Sequence, residues 1–173
     1  MEFQKVLALR QSVRAYTDEP VSKEDIKELV KAIQYAPVGM HNNKGYLVTL
    51  ISSKAVLDTM RETYKNITGR PTDPTYGAPL FILVSETPEV LEELKKYDAA
   101  CIIENLHLAA TDIGLGSVYI HGMIFAIKHA KEWQKLAGLP ENVTPICGIS
   151  IGHSKTEVKP RPEKAVFDVS YAE

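Results

Sequence analysis

Residues 97–122, YDAACIIENLHLAATDIGLGSVYIHG, decide how this chain folds. From Tyr97 to Ile113 the apolar residues Ala99, Ala100, Ile102, Ile103, Leu106, Leu108, Ala109 and Ala110 cover much of a helical circumference. A surface helix keeps a single apolar stripe, so a helix apolar around most of its girth belongs at the centre of a molecule. Gly114 stops it. SVYI then reads as a short strand, rich in β-branched and aromatic residues.

The segments on either side supply partners for that helix. Downstream, Phe125 to Ala137 reads as a further helix closed by Gly138 and Pro140, and PICGISIG as a core strand. Upstream, LFILVS (Leu80 to Ser85) is a continuous apolar run, the pattern of a strand covered on both faces. Thr87-Pro88 after it predicts a helix start. YLVTLIS (Tyr46 to Ser52) is a strand by its β-branched content. VLDTMRETY returns to helical spacing through Val56, Leu57, Met60 and Tyr64. GRPTDPTYGAP, with its Gly and Pro clusters, is a loop. Nearer the amino terminus, Ser22 and Asp25 resemble a capping box. Ile26, Leu29, Val30 and Ile33 then form the stripe of a helix that ends before Pro37. Phe3, Val6 and Leu7 outline a short first helix.

Bulk properties narrow the function classes. A chain of 173 residues is sized for one domain, expected over residues 1–173. Lys+Arg number 20 against 22 Asp+Glu, so no global basic field favours nucleic acid and any anion site must be local. Cys101 and Cys147 fit neither a CxxC pair nor a zinc cluster. They read as two buried thiols in a reducing cytosol, with no metal site expected. MEFQKVLALRQ lacks the basic and apolar regions of a signal peptide, and no apolar run approaches the roughly 20 residues of a membrane span. A cytoplasmic protein off the membrane is the expectation. After the polar, proline-bearing HSKTEVKPRPEK comes AVFDVSY, where Phe167, Val169 and Tyr171 alternate with Val166, Asp168 and Ser170. This strand could add as readily to a partner's sheet as to its own.

RQSVRAYTDEPVS places Arg10, Ser12 and Arg14 at alternate positions. In an extended backbone these side chains share one side while Gln11 and Val13 face away. Two guanidinium forks and a hydroxyl suit an anion, and a solvated turn with incidental arginines fits the same spacing. Further residues bear on the choice. RQSVRAYTDEPVSKEDIKELVKAIQYAPVGM, YDAACIIENLHLAATDIGLGSVYIHG and PICGISIGHSKTEVKPRPEK follow one another in an order that resembles the nitroreductase family of FMN-dependent oxidoreductases. The resemblance spans most of the chain. It implies an α+β fold with a mixed central sheet, helices on both sheet faces, and a homodimer in which the C-terminal strand is a candidate for exchange.

By the same resemblance, Arg10 and Ser12 would hold the FMN phosphate, helped by Lys159 and Arg161, with Gln11 touching the cofactor between them. Arg14 would lie against the pyrimidine side of the flavin ring. Ile120, His121 and Gly122 would contribute main-chain groups, and Asn66 would contact the ring. Pro37, Val38 and Gly39 would reach the flavin bound mainly by the other subunit. One departure stands out. Many family members continue this turn as N-x-Q-P-W, whereas this chain reads HNNKGY, with His41, Asn43, Lys44 and Gly45 at the corresponding positions. Lys44 and His41 could favour an anionic substrate or a nicotinamide phosphate, or could simply be solvent-exposed loop residues.

The implied activity is an NAD(P)H-dependent flavin oxidoreductase passing hydride from NADH or NADPH to a small nitroaromatic, quinone or related acceptor by a ping-pong mechanism. The alternative is a flavin-binding protein with little turnover. No catalytic side chain is assigned, because the chemistry is at flavin N5 and the protein's share is binding, orientation and tuning. In agreement, no Ser/His/Asp order, HExxH or P-loop occurs, and GLGS lacks the remaining glycine of a Rossmann fingerprint and follows a helix. His107 reads as a hydrogen-bonded core or interface residue rather than a ligand. His129 and His153 read as exposed. Glu104 reads either as a partner for a cation across a dimer or as a partly buried helix polar group.

Overall fold

Among the described residues twelve elements run in the order helix, helix, two single 3-10 turns, strand, helix, strand, helix, strand, helix, helix, strand. The computed structural model describes residues 1–163 and 167–172. The helices are α1 (Phe3–Leu9), α2 (Lys23–Gln34), α3 (Lys54–Thr68), α4 (Lys95–Asp112), α5 (Gly122–Ile127) and α6 (Lys131–Leu136). The strands are β1 (Tyr46–Ile51), β2 (Leu80–Glu86), β3 (Gly116–Ile120) and β4 (Thr144–Gly152). They pair in the order β1-β2-β4-β3, every neighbouring pair antiparallel. A parallel component enters through one isolated bridge, Ser12 to Ser117.

β2 and β4 occupy the middle of the sheet because both of their faces are apolar. Leu80, Ile82 and Val84 point to one core with Leu29, Ile102, Ile103 and Leu106 from α2 and α4. Phe81 and Leu83 point to the other, with Leu57, Met60, Ile124, Ile127 and Trp133 from α3, α5 and α6. Strand residues alternate in direction, so one strand builds two cores. The helix read from residues 97–113 is α4, and its buried residues run from Asp98 to Thr111. Gly148 lets the sheet close at this point: a Cβ there would overlap the Phe81 ring.

Three local expectations are corrected. The segment after Thr87-Pro88 is not helical until Lys95. The Thr87 hydroxyl donates to Lys44 O at 2.6 Å and its N–H to Gly45 O at 3.0 Å, so Thr87 ties the exit of β2 to the preceding turn instead of capping a helix. The stretch from Phe125 to Ala137 is two helices rather than one, separated at an extended Ala130. Side chains satisfy the carbonyls left open at that break: Trp133 Nε1 donates to Ile127 O at 2.9 Å and Gln134 Nε2 to Lys128 O at 2.6 Å. Of the two thiols, Cys147 is buried and Cys101 only half-buried. The Ser22 cap is as read, its hydroxyl accepting Asp25 N–H at 3.0 Å. Of the AVFDVSY stretch, Ala165 and Val166 lie outside the described residues. Phe167 to Ala172 make no strand pairing among the described residues.

Candidate functional site

The arginine segment leaves α1 at Arg10, whose backbone is already extended, and crosses the edge of the sheet. Val13 N–H donates to Ser117 O at 3.0 Å, Thr17 N–H to His153 O at 2.9 Å and Lys155 N–H to Ala15 O at 3.0 Å. Val13 is buried between the exposed Ser12 and Arg14, as an extended strand requires, and the alternation ends at the buried Tyr16, where the segment bridges Ser154. The Val13 side chain lies on Gly116, where any Cβ would collide with it. Tyr16 OH anchors the segment from beneath, donating to Val13 O at 2.8 Å. Arg10, Ser12 and Arg14 are therefore held by their neighbours' main chain.

The second basic stretch arrives at the same place. Gln11 Nε2 donates to Lys159 O at 3.1 Å, and Arg161 N–H donates to Ala8 O at 2.9 Å. Main-chain contacts thus bring together at one corner the two segments that carry Arg10, Arg14, Lys159 and Arg161. Lys159 pairs with Glu157 at 3.2 Å, both exposed. The Arg161 guanidinium donates to Leu7 O at 3.1 Å, completing the carboxyl end of α1. Among the described residues neither Arg10 nor Arg14 has a carboxylate partner. The Arg10 side chain makes no hydrogen bond there, and Arg14 reaches only Ser12 O at 3.4 Å. Gathered, uncompensated guanidinium forks beside an exposed hydroxyl are a fit for a phosphate dianion.

His107 and Ser117 support this corner from the α4 side. Their side chains meet at 2.8 Å through Nδ1 and Oγ, both residues buried. Burial, reinforced by the Arg10 charge, pushes His107 down to about 4, so its ring is neutral at physiological pH. Ser117 stood inside the quoted GLGS. Its part here depends on strand pairing, which no local spacing signals.

The remaining candidates lie elsewhere in the protomer. Ile120, His121 and Gly122 sit at the other end of β3, roughly 13 Å along the strand from Ser117. There His121 stacks on Phe125 at 6.0 Å between ring centroids, and Lys128 lies 5.0 Å over the same ring. A cavity of about 450 Å³ opens beside them, lined also by Tyr119 and Lys96. Cys147 behind it has its thiol pushed up to about 11 by burial, which makes it a poor nucleophile. Asn66 is exposed on α3.

Pro37, Val38 and Gly39 lie at the opposite end of α4 from the arginine corner. Gly39 N–H donates to the buried Asp98 carboxylate at 3.0 Å, and Tyr46 OH donates to its second oxygen at 2.7 Å. Asp98 and His107 are nine residues apart on α4, roughly 13 Å at the helical rise. The HNNKGY turn that follows is firmly built. Met40 and His41 are left-handed at φ 56° and 54°, a costly conformation held by Asp98 on one side and by Asn42 Nδ2 donating to Glu89 O at 2.8 Å on the other. The side chains of His41, Asn43 and Lys44 are exposed. Within a single protomer main-chain contacts join the segments that carry Arg10, Gln11, Ser12, Arg14, Lys159 and Arg161, while the 37–39 turn and residues 120–122 lie at the far ends of α4 and β3.

Comparison with known proteins bears on the fold and the family. The FMN reductase (NAD(P)H) of Bacillus subtilis strain 168 is 31% identical across 94% of this chain and 71% of its own length. A crystal structure of a nitroreductase with bound FMN from Bacteroides fragilis NCTC 9343 superposes with a TM-score of 0.85 at 25% identity, covering 99% of this chain and all of that one. A nitroreductase with bound FMN from Desulfitobacterium hafniense DCB-2 gives 0.84 at 26% identity, covering 100% and 99%. The family description "Nitroreductase family" matches residues 7–153, from the end of α1 to the end of β4. With the whole sheet and the Arg10–Arg14 segment inside that match, the chain belongs to the nitroreductase family.

Proposed function

We propose that the protein is an NAD(P)H-dependent FMN oxidoreductase that passes hydride to a small nitroaromatic, quinone or related acceptor in a ping-pong cycle. The observation that carries this reading is the arginine corner: Arg10 and Arg14 lack carboxylate partners among the described residues in a chain whose FMN-bound relatives match it end to end. When bound, FMN supplies the hydride chemistry. The chain's residues bind and orient it. Arg10 and Ser12, with Lys159 beside them, would hold the phosphate, and Arg161 would lend charge while holding α1. Gln11 fixes Lys159 to the segment through its main chain. Arg14 would face the ring and stabilise negative charge on its pyrimidine edge, an effect that strengthens as water is excluded. Ile120, His121 and Gly122 would meet the ring, with Asn66 a further contact.

The reading includes a homodimer, with residues 1–173 forming one FMN-binding domain in the cytoplasm. Among the described residues no helix is long and apolar enough to cross a membrane. Two features support pairing. The 37–39 turn lies at the opposite end of α4 from its own arginine corner, which suits a contribution to the partner's site. Phe167, Val169 and Tyr171 are 83%, 69% and 86% exposed, an apolar tail with no cover in its own chain. β1 is an edge strand with an unpaired side that such a tail could join. A chain ending at Glu163 is expected to sediment as a monomer and to lose FMN. A truncated protein that stays dimeric and yellow would contradict the exchanged tail.

The activity has a direct test. Purified protein is expected to be yellow, and anaerobic NADH or NADPH should bleach it, with colour restored by an added quinone. A preparation that binds no added FMN would defeat the flavin reading. A yellow one that neither nicotinamide bleaches would favour a flavin-binding protein with little turnover.

A further inference from the structure

The side chain of His107 sits at a junction that packing alone does not explain. Position 107 lies between Leu106 and Leu108 in a helix buried along most of its length, where an apolar residue would fit without desolvating a ring nitrogen. A histidine stands there instead, and its Nδ1 meets the hydroxyl of Ser117 at 2.8 Å. Ser117 is the residue through which β3 grips the arginine segment: its carbonyl accepts Val13 N–H, and its backbone forms the parallel bridge to Ser12. The Arg10 guanidinium is near enough to His107 to act on its titration. Thr111 completes the arrangement, its hydroxyl donating to His107 O at 2.8 Å one turn along α4.

We propose that His107 is a positioning residue for the phosphate end of the cofactor site, holding Ser117, and through it the Arg10-x-Ser12 segment, in the register that binds a phosphate monoester. This rests on the FMN reading above. The imidazole touches neither flavin nor substrate. It links α4 to the side of β3 that carries the anion-binding segment, and its neutral ring does not repel the Arg10 guanidinium. The hydrogen bond concerns the segment that meets phosphate, whereas the ring contacts proposed at Ile120, His121 and Gly122 lie at the far end of β3. Loss of His107 is therefore selective for flavins that carry a phosphate.

The test compares FMN with riboflavin, which has the same ring and no phosphate, by fluorescence titration of flavin-free protein. His107→Leu keeps the apolar packing and removes the hydrogen bond. It is expected to weaken FMN binding roughly tenfold while riboflavin binding stays within about twofold of wild type. His107→Asn restores a polar group near the Nδ1 position and is expected to recover most of the FMN affinity. Ser117→Ala, which truncates the partner, is expected to reproduce the FMN-selective loss if the leucine variant folds poorly. Equal losses for both flavins, unchanged FMN binding in His107→Leu and Ser117→Ala, or an asparagine variant no better than leucine would each overturn the positioning role. Wild-type protein that binds neither flavin would overturn the cofactor reading itself, and the inference with it.

Discussion

Arg10→Ala is expected to raise the dissociation constant for FMN about 100-fold, while Arg14→Ala changes binding much less. The difference follows from what each guanidinium does in the fold. Arg10 is half-buried where α1 meets the arginine segment, makes no side-chain hydrogen bond among the described residues, and lies beside a neutral histidine. Its charge and donors remain available to a phosphate. A charge-assisted hydrogen bond is worth about 1.5–3 kcal/mol, so a bidentate fork lost whole reaches the upper part of that range. Arg14 is exposed and leans on Ser12 O. Placed against the ring, it acts on the charge that appears when the flavin is reduced, so its removal should lower the midpoint potential. Equilibrium dialysis measures the first effect and a redox titration against indicator dyes the second. Equal FMN retention in wild type and Arg10→Ala would contradict the phosphate assignment, and an unchanged potential in Arg14→Ala the tuning role.

Acid should weaken the flavin-free fold through His107 by an amount on the order of 3 kcal/mol. Its ordinary value is 6.5, and burial followed by the Arg10 charge brings it to about 4 in the folded protein. Above pH 6.5 the ring is neutral in folded and unfolded chains alike, and this residue costs no stability. As pH falls below 6.5 the unfolded chain takes up a proton that the native ring refuses, so the balance shifts toward unfolding. The loss grows until about pH 4, where the folded ring also protonates, and then levels. Urea midpoints measured between pH 7.5 and 4 check this, with His107→Leu as the reference, because carboxylate titrations common to both proteins cancel. Wild type should lose more stability across that window than the variant. Parallel profiles would show that the ring is protonated in the fold or not buried in solution.

Legibility in the sequence followed the range of the interaction. β2 was readable because burial on both faces leaves a strand with no polar alternation, and α4 because apolar residues cover much of its girth, although Tyr97, Ala100 and Glu104 keep one face exposed in the protomer. The cap at Ser22 was readable because its donor lies three residues away. The break between α5 and α6 was not, since Ala130 is an ordinary helix former. The helix ends there because Trp133 and Gln134 turn back to bond the carbonyls of Ile127 and Lys128. Nor was the delay of α4 to Lys95, which depends on Thr87 finding carbonyls at Lys44 and Gly45.

The candidate site divides in the same way. Two arginines and a hydroxyl on alternate residues predict a shared face from strand geometry alone, and Val13 turning inward between the exposed Ser12 and Arg14 agrees with it. The resemblance of several segments to one family then named the cofactor class. Only the tertiary structure decided what those arginines stand beside. Residues 10–17 meet Ser117 and residues 153–155 through backbone hydrogen bonds between distant parts of the chain, and these bring Lys159 and Arg161 to the same corner. The same pairing puts Ser117 against His107, and the 37–39 turn, expected to serve mainly the other subunit's flavin, lies at the opposite end of α4. A backbone N–H carries the same chemistry at every residue, so which carbonyl it finds across the fold leaves no mark on local spacing. The residue types that could bind phosphate were therefore determined by the sequence, and their convergence by the register of a strand edge that forms only when the sheet does.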